Sequence, residues 1–166
     1  MDELDFALLA SIHKSPRAGV LELSRQVGVA RATAQSRLSR LEDAGVIAGY
    51  APHIDVAAAG FGVQAFVTLE IAQGALDSVA EELAALPEVL EAFATTGSGD
   101  VLCRIAAASH DGLQRTLIEL NKTGFVTRST SVVALSVVIP YRSMPLLGTL
   151  NRGPTSRAPA YRKGPS

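Results

Sequence analysis

Three arginines with no acidic residue between them lie near the amino end of the chain. Arg31, Arg37 and Arg40 all precede Glu42, so this stretch carries a local charge of +3. Arginine can bond DNA phosphates, and arginine or glutamine can read the edges of guanine or adenine in the major groove. A solvated basic helix face is the alternative interpretation. The residues predicted to contact DNA are Arg31, Thr33, Gln35, Ser36, Arg37 and Arg40.

A second segment of interest is residues 97–100, which read Gly-Ser-Gly-Asp. Such a sequence is typical of a tight turn between two strands, and it can also expose backbone N–H groups to a ligand. It is not a phosphate-binding glycine motif, because the later glycine and the following helix are missing. From the residues alone, a plain hairpin turn and a binding loop both remain open.

The other reactive side chains give no catalytic or metal-binding pattern. His13, His53 and His110 fall on different predicted elements, without a serine, cysteine or aspartate partner at a recognisable spacing. Cys103 is the single cysteine, so an internal disulfide and a multi-cysteine zinc site are excluded. Its place within a predicted strand favours a packing role. We therefore expect no enzymatic activity, no metal and no cofactor.

The elements that position the basic stretch are three predicted helices, at residues 3–13, 20–27 and 31–44. Gly28 suits a left-handed helix end, and only three residues separate the second and third helices. This spacing is typical of a helix-turn-helix unit, whose second helix presents its outer face to DNA. Residues 46–50 are rich in β-prone side chains and predict a short wing or linker strand.

Beyond residue 60 the hydrophobic period changes to two, which indicates a sheet. The element order is β-α-β-β-α-β, which predicts an α+β fold in which a ferredoxin-like domain follows the winged helix-turn-helix. Both of its helices should lie on one face of an antiparallel sheet. The predicted elements are strand 61–71, helix 75–86, strands 89–96 and 101–107, helix 111–121 and strand 126–139.

Composition and charge bound the domain plan. Of the 166 residues, 48% are hydrophobic and 19% charged, so most of the chain should fold. Residues 1–50 are balanced in charge, 51–139 are acidic and 140–166 contain bases only, so DNA contact must come from a local patch. The predicted plan is a DNA-binding domain at 1–50, a linker at 51–60, a regulatory domain at 61–142 and a disordered basic tail at 143–166.

No apolar run approaches the roughly 20 residues that span a bilayer. The chain also begins with Asp2, Glu3 and Asp5, where a signal peptide would carry basic residues. We expect a soluble, cytoplasmic protein without a membrane partner.

Several short motifs are spread over residues 4–140, among them Leu23-Ser24, Arg40-Leu41-Glu42 and Gly124-Phe125-Val126. Together they resemble those of the Lrp/AsnC (leucine-responsive and asparagine regulator) transcription factors. One departure is Ala30, where the family usually places a serine that caps the third helix; its loss should cost about 1 kcal/mol. The ending Ile139-Pro140-Tyr141-Arg142 is a second departure. The helix-turn-helix motifs are Leu4-Asp5, Leu23-Ser24, Val27-Gly28, Arg37, Arg40-Leu41-Glu42, Gly45-Val46-Ile47 and Gly49-Tyr50. The regulatory-domain motifs are Gly97, Asp100, Gly124-Phe125-Val126 and Arg128-Ser129-Thr130.

The resemblance implies a dimer that pairs its regulatory sheets, further assembly into tetramers or octamers, and an amino-acid effector held between subunits. It places the effector at the loop, where backbone N–H groups can meet a carboxylate and Asp100 can pair an ammonium group. Thr130 can add a hydrogen bond. The residues that the resemblance assigns to the effector are Thr96, Gly97, Ser98, Gly99, Asp100 and Thr130.

The sequence therefore predicts a regulator of transcription that binds double-stranded DNA site-specifically and responds to an amino acid. Two other functions stay open. A nucleoid-type architectural protein would bind DNA through phosphates, with a steep salt dependence and little sequence dependence. A ferredoxin-like small-molecule-binding module would use the helical head for assembly alone, without binding DNA.

Overall fold

The computed structural model describes residues 1–122 and 124–150. These residues divide into two compact units, one formed by 1–52 with 140–150 and the other by 53–139. Within the predicted disordered tail, residues Met144–Leu147 instead form a short helix. The rest of that prediction, residues 151–166, lies outside the described part of the chain.

The amino-terminal unit contains the three predicted helices: α1 (Glu3–Lys14), α2 (Val20–Val27) and α3 (Arg31–Asp43). Gly28 ends α2 in the left-handed conformation, with φ of 78°, which confirms the predicted helix end. The three helices enclose a small core. Its fully buried members are Leu8, Leu23, Ala34 and Leu38.

The predicted strand at residues 46–50 is wrong, since these residues form no strand. The backbone N–H groups of Val46 and Ile47 both donate to the carbonyl oxygen of Leu41, at 2.9 and 3.1 Å. These donors close the carboxyl end of α3, so a strand ladder cannot use them.

The second unit has the predicted β-α-β-β-α-β order. Its four strands form one antiparallel sheet in the order β2-β3-β1-β4, as a ferredoxin-like arrangement requires. The elements are β1 (Val63–Ile71), α4 (Leu76–Ala84), β2 (Val89–Ala94), β3 (Val101–Ala107), α5 (His110–Lys122) and β4 (Val126–Ala134).

The sheet has one buried and one open face. On β1, Ala65, Val67 and Leu69 are fully buried and pack with residues of α4 and α5 such as Val79 and Leu120. The alternate side chains point to the opposite face, because successive residues of a strand project to opposite sides. The apolar side chains of this open face are Phe66, Phe93, Leu102 and Val132.

Several predicted boundaries in this unit shift, among them the end of the last strand and both ends of α4. The last strand ends at Ala134 rather than at residue 139; Ala134 is its last paired residue and lies opposite Gln64, the second residue of β1. Leu135, the next residue, is 98% exposed. Helix α4 begins at Leu76, which is exposed, whereas the preceding Ala75 is buried in the core.

Candidate functional site

Helix α3 presents a polar outer face. Arg31, Gln35 and Ser36 are exposed and Thr33 is half-buried, whereas Ala34, Leu38 and Leu41 face the interior. As expected from Ala30, no side chain caps the start of this helix. Arg40 is exposed as well, so five of the six side chains predicted to contact DNA are accessible on this helix, where hydrogen bonds to phosphates and base edges are possible.

Arg37 is not on that surface. Its guanidinium donates to the carboxylates of Asp2 and Asp5, the latter at 3.2 Å, and its side chain is only 16% exposed. The predicted outer-face placement of Arg37 is therefore wrong. Helical spacing placed Arg37 beside the buried Leu38, but it could not show that two carboxylates of α1 lie within reach of this long side chain.

These two carboxylates belong to the start of α1. The Asp2 carboxylate accepts from the backbone N–H of Asp5, and the Asp5 carboxylate accepts from the backbone N–H of Asp2, at 3.0 and 2.9 Å. This reciprocal pair is a capping box. Aspartates three residues apart before an apolar run were the sequence signal for it, and the sequence-based prediction missed them.

The cluster also includes Arg40, whose Nη2 donates to both oxygens of Asp5 at 2.7 Å. The Asp5 side chain is 1% exposed, whereas that of Arg40 is 58% exposed. Partial burial acts to raise the pKa of Asp2, but the backbone N–H of Asp5 and the Arg37 guanidinium hold that pKa below its ordinary value. We call Asp2, Asp5, Arg37 and Arg40 the capping cluster.

The end of α3 is linked to the residues that follow it. The Tyr50 hydroxyl donates to Oε1 of Glu42 at 2.6 Å. Burial and this carboxylate together raise the pKa of Tyr50 to about 12.

The loop at residues 95–100 joins β2 and β3, which confirms the predicted hairpin. The N–H of Asp100 donates to the carbonyl of Leu69 at 2.8 Å, and that of Thr95 to the carbonyl of Asp100 at 2.8 Å. Gly97 has a φ of 121°, which favours glycine. Gly99 is buried, and a Cβ there would lie 2.1 Å from Cγ2 of Thr68. The loop is thus fixed against the end of β1.

Asp100 supplies one of these fixing contacts with its side chain. Its Oδ2 accepts from the backbone N–H of Ile71 at 2.8 Å, where the pairing of β1 with β4 shifts register. The Asp100 side chain therefore holds the loop, a role that the sequence did not indicate. Its other oxygen has no hydrogen-bond partner within residues 1–122 and 124–150.

The remaining predicted effector residues lie on the loop and on β4. Thr96 and Ser98 are exposed on the loop. Thr130 lies directly opposite Thr68 in the β1–β4 pair, and Gly99 lies close to the Thr68 side chain. The structure therefore brings the loop and Thr130 to the same region of the sheet.

The described residues hold no group of three or more His, Cys, Asp or Glu side chains that could bind a metal ion. Cys103 is fully buried, and burial raises the pKa of its thiol to about 11. A protonated, inaccessible thiol is a poor nucleophile, so the predicted packing role of Cys103 is confirmed. None of the helices in the described segments has the length and hydropathy of a membrane span.

Comparisons with known proteins match both units. A winged helix-turn-helix DNA-binding family model matches residues 1–48, and one for the Lrp/AsnC ligand binding domain matches residues 64–144. The chain is 30% identical to the HTH-type transcriptional regulator AldR of Mycolicibacterium smegmatis over 122 residues, which cover 72% of this chain and 71% of that protein.

Solved structures agree with this assignment. Escherichia coli AsnC superposes with a TM-score of 0.81 at 26% identity, covering 87% of this chain and 99% of AsnC. A transcriptional regulator of Neisseria meningitidis in complex with L-Met gives a TM-score of 0.80 at 27% identity, covering 90% and 99% of the two chains. With an exposed helix-turn-helix surface and a ligand-binding domain, the chain belongs to the Lrp/AsnC family of DNA-binding transcriptional regulators.

Proposed function

We propose that this regulator binds its DNA sites as a homodimer, through the outer face of α3, and that an amino acid bound at the loop of residues 95–100 changes its DNA affinity. The observation that carries the proposal is the exposed polar surface of α3, formed by Arg31, Thr33, Gln35 and Ser36. Its action is binding rather than catalysis, with no cofactor besides the effector, in the cytoplasm where DNA is accessible.

The dimer is proposed to form through the open face of the sheet. A single recognition helix covers too few base pairs for useful specificity, whereas a two-fold pair reads two half-sites about one helical turn apart. Phe66, Phe93 and Val132 are 44, 54 and 63% exposed on this face. Apolar side chains gathered on one sheet face are typical of an interaction surface. Tetramers or octamers would be assembled from such dimers.

The Arg31→Ala variant tests the DNA interface. Arg31 is exposed and no hydrogen bond or ion pair is found for it within residues 1–122 and 124–150, so its charge is available to a phosphate. We expect weaker binding to all duplexes and a salt-dependence slope smaller by about 1. Fluorescence anisotropy at several salt concentrations measures both quantities.

The matched control is Arg115→Ala, which removes an exposed arginine from α5 of the other unit. It should leave DNA binding unchanged. If Arg31→Ala and Arg115→Ala give the same affinity and slope, α3 is not the DNA interface. Wild-type protein with no preference among duplexes would instead favour an architectural role.

The Asp100→Asn variant tests the effector site. The amide oxygen can still accept from the Ile71 N–H, but the negative charge that would pair with an ammonium group is gone. A thermal-shift screen of the twenty amino acids, beginning with L-methionine, first identifies the effector. We expect Asp100→Asn to bind DNA normally without effector and to lose the effector response, whose typical size is about 5- to 150-fold in affinity.

The comparison with Asp100→Ala distinguishes two roles of the Asp100 carboxylate, which are pairing with the ammonium group and holding the loop. The alanine variant loses both the charge and the bond to Ile71, so the loop itself should loosen. If Asp100→Asn responds to the amino acid with wild-type affinity while Asp100→Ala does not, the carboxylate only fixes the loop and does not bind the ammonium group.

A further inference from the structure

The carboxylate of Asp5 is buried, and each of its oxygens accepts two hydrogen bonds. One oxygen accepts from Arg37 Nη1 at 3.2 Å and from Arg40 Nη2 at 2.7 Å; the other accepts from Arg40 Nη2 at 2.7 Å and from the N–H of Asp2 at 2.9 Å. A buried carboxylate that accepts four hydrogen bonds from three donor groups is held firmly in place, because a hydrogen bond to a charged group is stronger than one between neutral groups. The contacts of Asp5 with Arg37 and Arg40 therefore hold α3 in place against the start of α1.

The capping cluster changes the charge that α3 can offer to DNA. The three arginines between Arg31 and Arg40 suggest a charge of +3, but Asp2 and Asp5 neutralise two of them. Only Arg31 keeps an uncompensated charge. Non-specific affinity for DNA rises with each cation available to a phosphate, so this neutralisation weakens binding to arbitrary sequences more than binding that depends on base contacts.

The two arginines are not equivalent within the cluster. Arg37 is mostly buried, and its guanidinium is held toward α1. Arg40 is 58% exposed and uses only Nη2 for Asp5, so within the described residues its Nε and Nη1 have no hydrogen-bond partner. Asp5 thus holds Arg40 through Nη2 and leaves its other donors available to a further acceptor.

We propose that Asp2 and Asp5 are positioning residues that set the DNA specificity of this regulator. They keep Arg37 away from DNA and hold Arg40 by its Nη2, so that its remaining donors can bond a phosphate. The carboxylates themselves do not touch DNA; they act through the two arginines. This inference rests on the proposed DNA-binding function and assigns a role in it to the amino-terminal residues of α1.

The test uses the full chain with Asp5→Asn, compared with wild type and with Glu3→Gln. Glu3 is exposed in the same helical turn and has no hydrogen bond or ion pair within the described residues, so its variant removes the same charge without freeing an arginine. A preferred duplex is selected with wild-type protein from a random pool. Affinities for this duplex and for an unrelated one are then measured over a range of salt concentrations.

We expect Asp5→Asn to bind the unrelated duplex more tightly and the preferred duplex more weakly than wild type does. The ratio of preferred to unrelated affinity should therefore fall about tenfold or more. A change of this size lies within the range by which specific and non-specific binding commonly differ. The salt slope on the unrelated duplex should steepen by about 1 for each arginine released. Glu3→Gln should leave the ratio unchanged. Simple loosening of the fold would lower both affinities together, without a steeper slope.

Asp2→Asn provides a second variant if Asp5→Asn does not fold, which circular dichroism shows directly. It removes the carboxylate of Asp2 from Arg37 but leaves the 3.2 Å contact of Arg37 with Asp5, so the same changes should appear at smaller size. A ratio and slope equal to those of Glu3→Gln, in whichever of the two variants folds, overturns the inference while leaving the proposed function intact. Wild-type protein that binds no duplex overturns the proposed function itself.

Discussion

Replacing Phe66 by glutamate is expected to make the protein monomeric and to remove high-affinity DNA binding. Phe66 lies near the centre of the open sheet face, between Arg104 of β3 and Val132 of β4. Arg104 is already bonded to Gln64 and Glu91, at 2.9 and 3.3 Å. A new carboxylate would therefore lie between two apolar surfaces, beside an Arg104 whose guanidinium already has partners, which is costly.

The expected loss of dimerisation free energy is large because each substitution occurs twice in a two-fold interface. Loss of a central aromatic anchor commonly costs about 2–4 kcal/mol per copy, so dimerisation should weaken by roughly a thousandfold or more. Sedimentation velocity at micromolar concentration measures the assembly, and anisotropy measures DNA binding.

Ile118→Glu is the matched control for this variant. Ile118 is 47% exposed on α5, close to the 44% of Phe66, but it lies on a helix that packs against the opposite face of the sheet. We expect this variant to stay dimeric. A Phe66→Glu protein that sediments like wild type would rule out the open face as the dimer interface.

Truncating Leu8 to alanine is expected to unfold much of the helix-turn-helix unit and with it the DNA-binding surface. Leu8 is fully buried on α1, in a core whose other buried members are Leu23, Ala34 and Leu38. Leucine-to-alanine changes in cores lower the free energy of unfolding by about 2–5 kcal/mol, through lost burial and the cavity left behind. A unit of roughly 50 residues has little stability to lose.

Leu21→Ala makes the same chemical change at an exposed position, since Leu21 is 47% exposed on α2. Urea unfolding of both variants, followed by far-ultraviolet circular dichroism, should show a much earlier transition for Leu8→Ala alone, with DNA affinity lost in parallel. Equal transitions for the two variants would mean that Leu8 is not a core residue.

The sequence by itself determined most of the elements and the family. Apolar residues at a helical period predicted α1, α2 and α3, and strict alternation at Ala65, Val67 and Leu69 predicted the half-buried strand β1. Gly28 was predicted to end α2 and does so. These features depend on residues close together in the chain, so a local pattern is enough to read them.

Only the tertiary structure decided what several charged and β-prone residues do. Arg37 meets Asp2 and Asp5 from more than thirty residues away, and the Asp100 carboxylate bonds the N–H of Ile71, 29 positions earlier. Residues 46–50 have the side chains of a strand, yet their first N–H groups close α3. A long side chain or a backbone donor bonds to whichever partner the packed elements bring within reach. The spacing of residues along the sequence does not show which distant residues come close together in space.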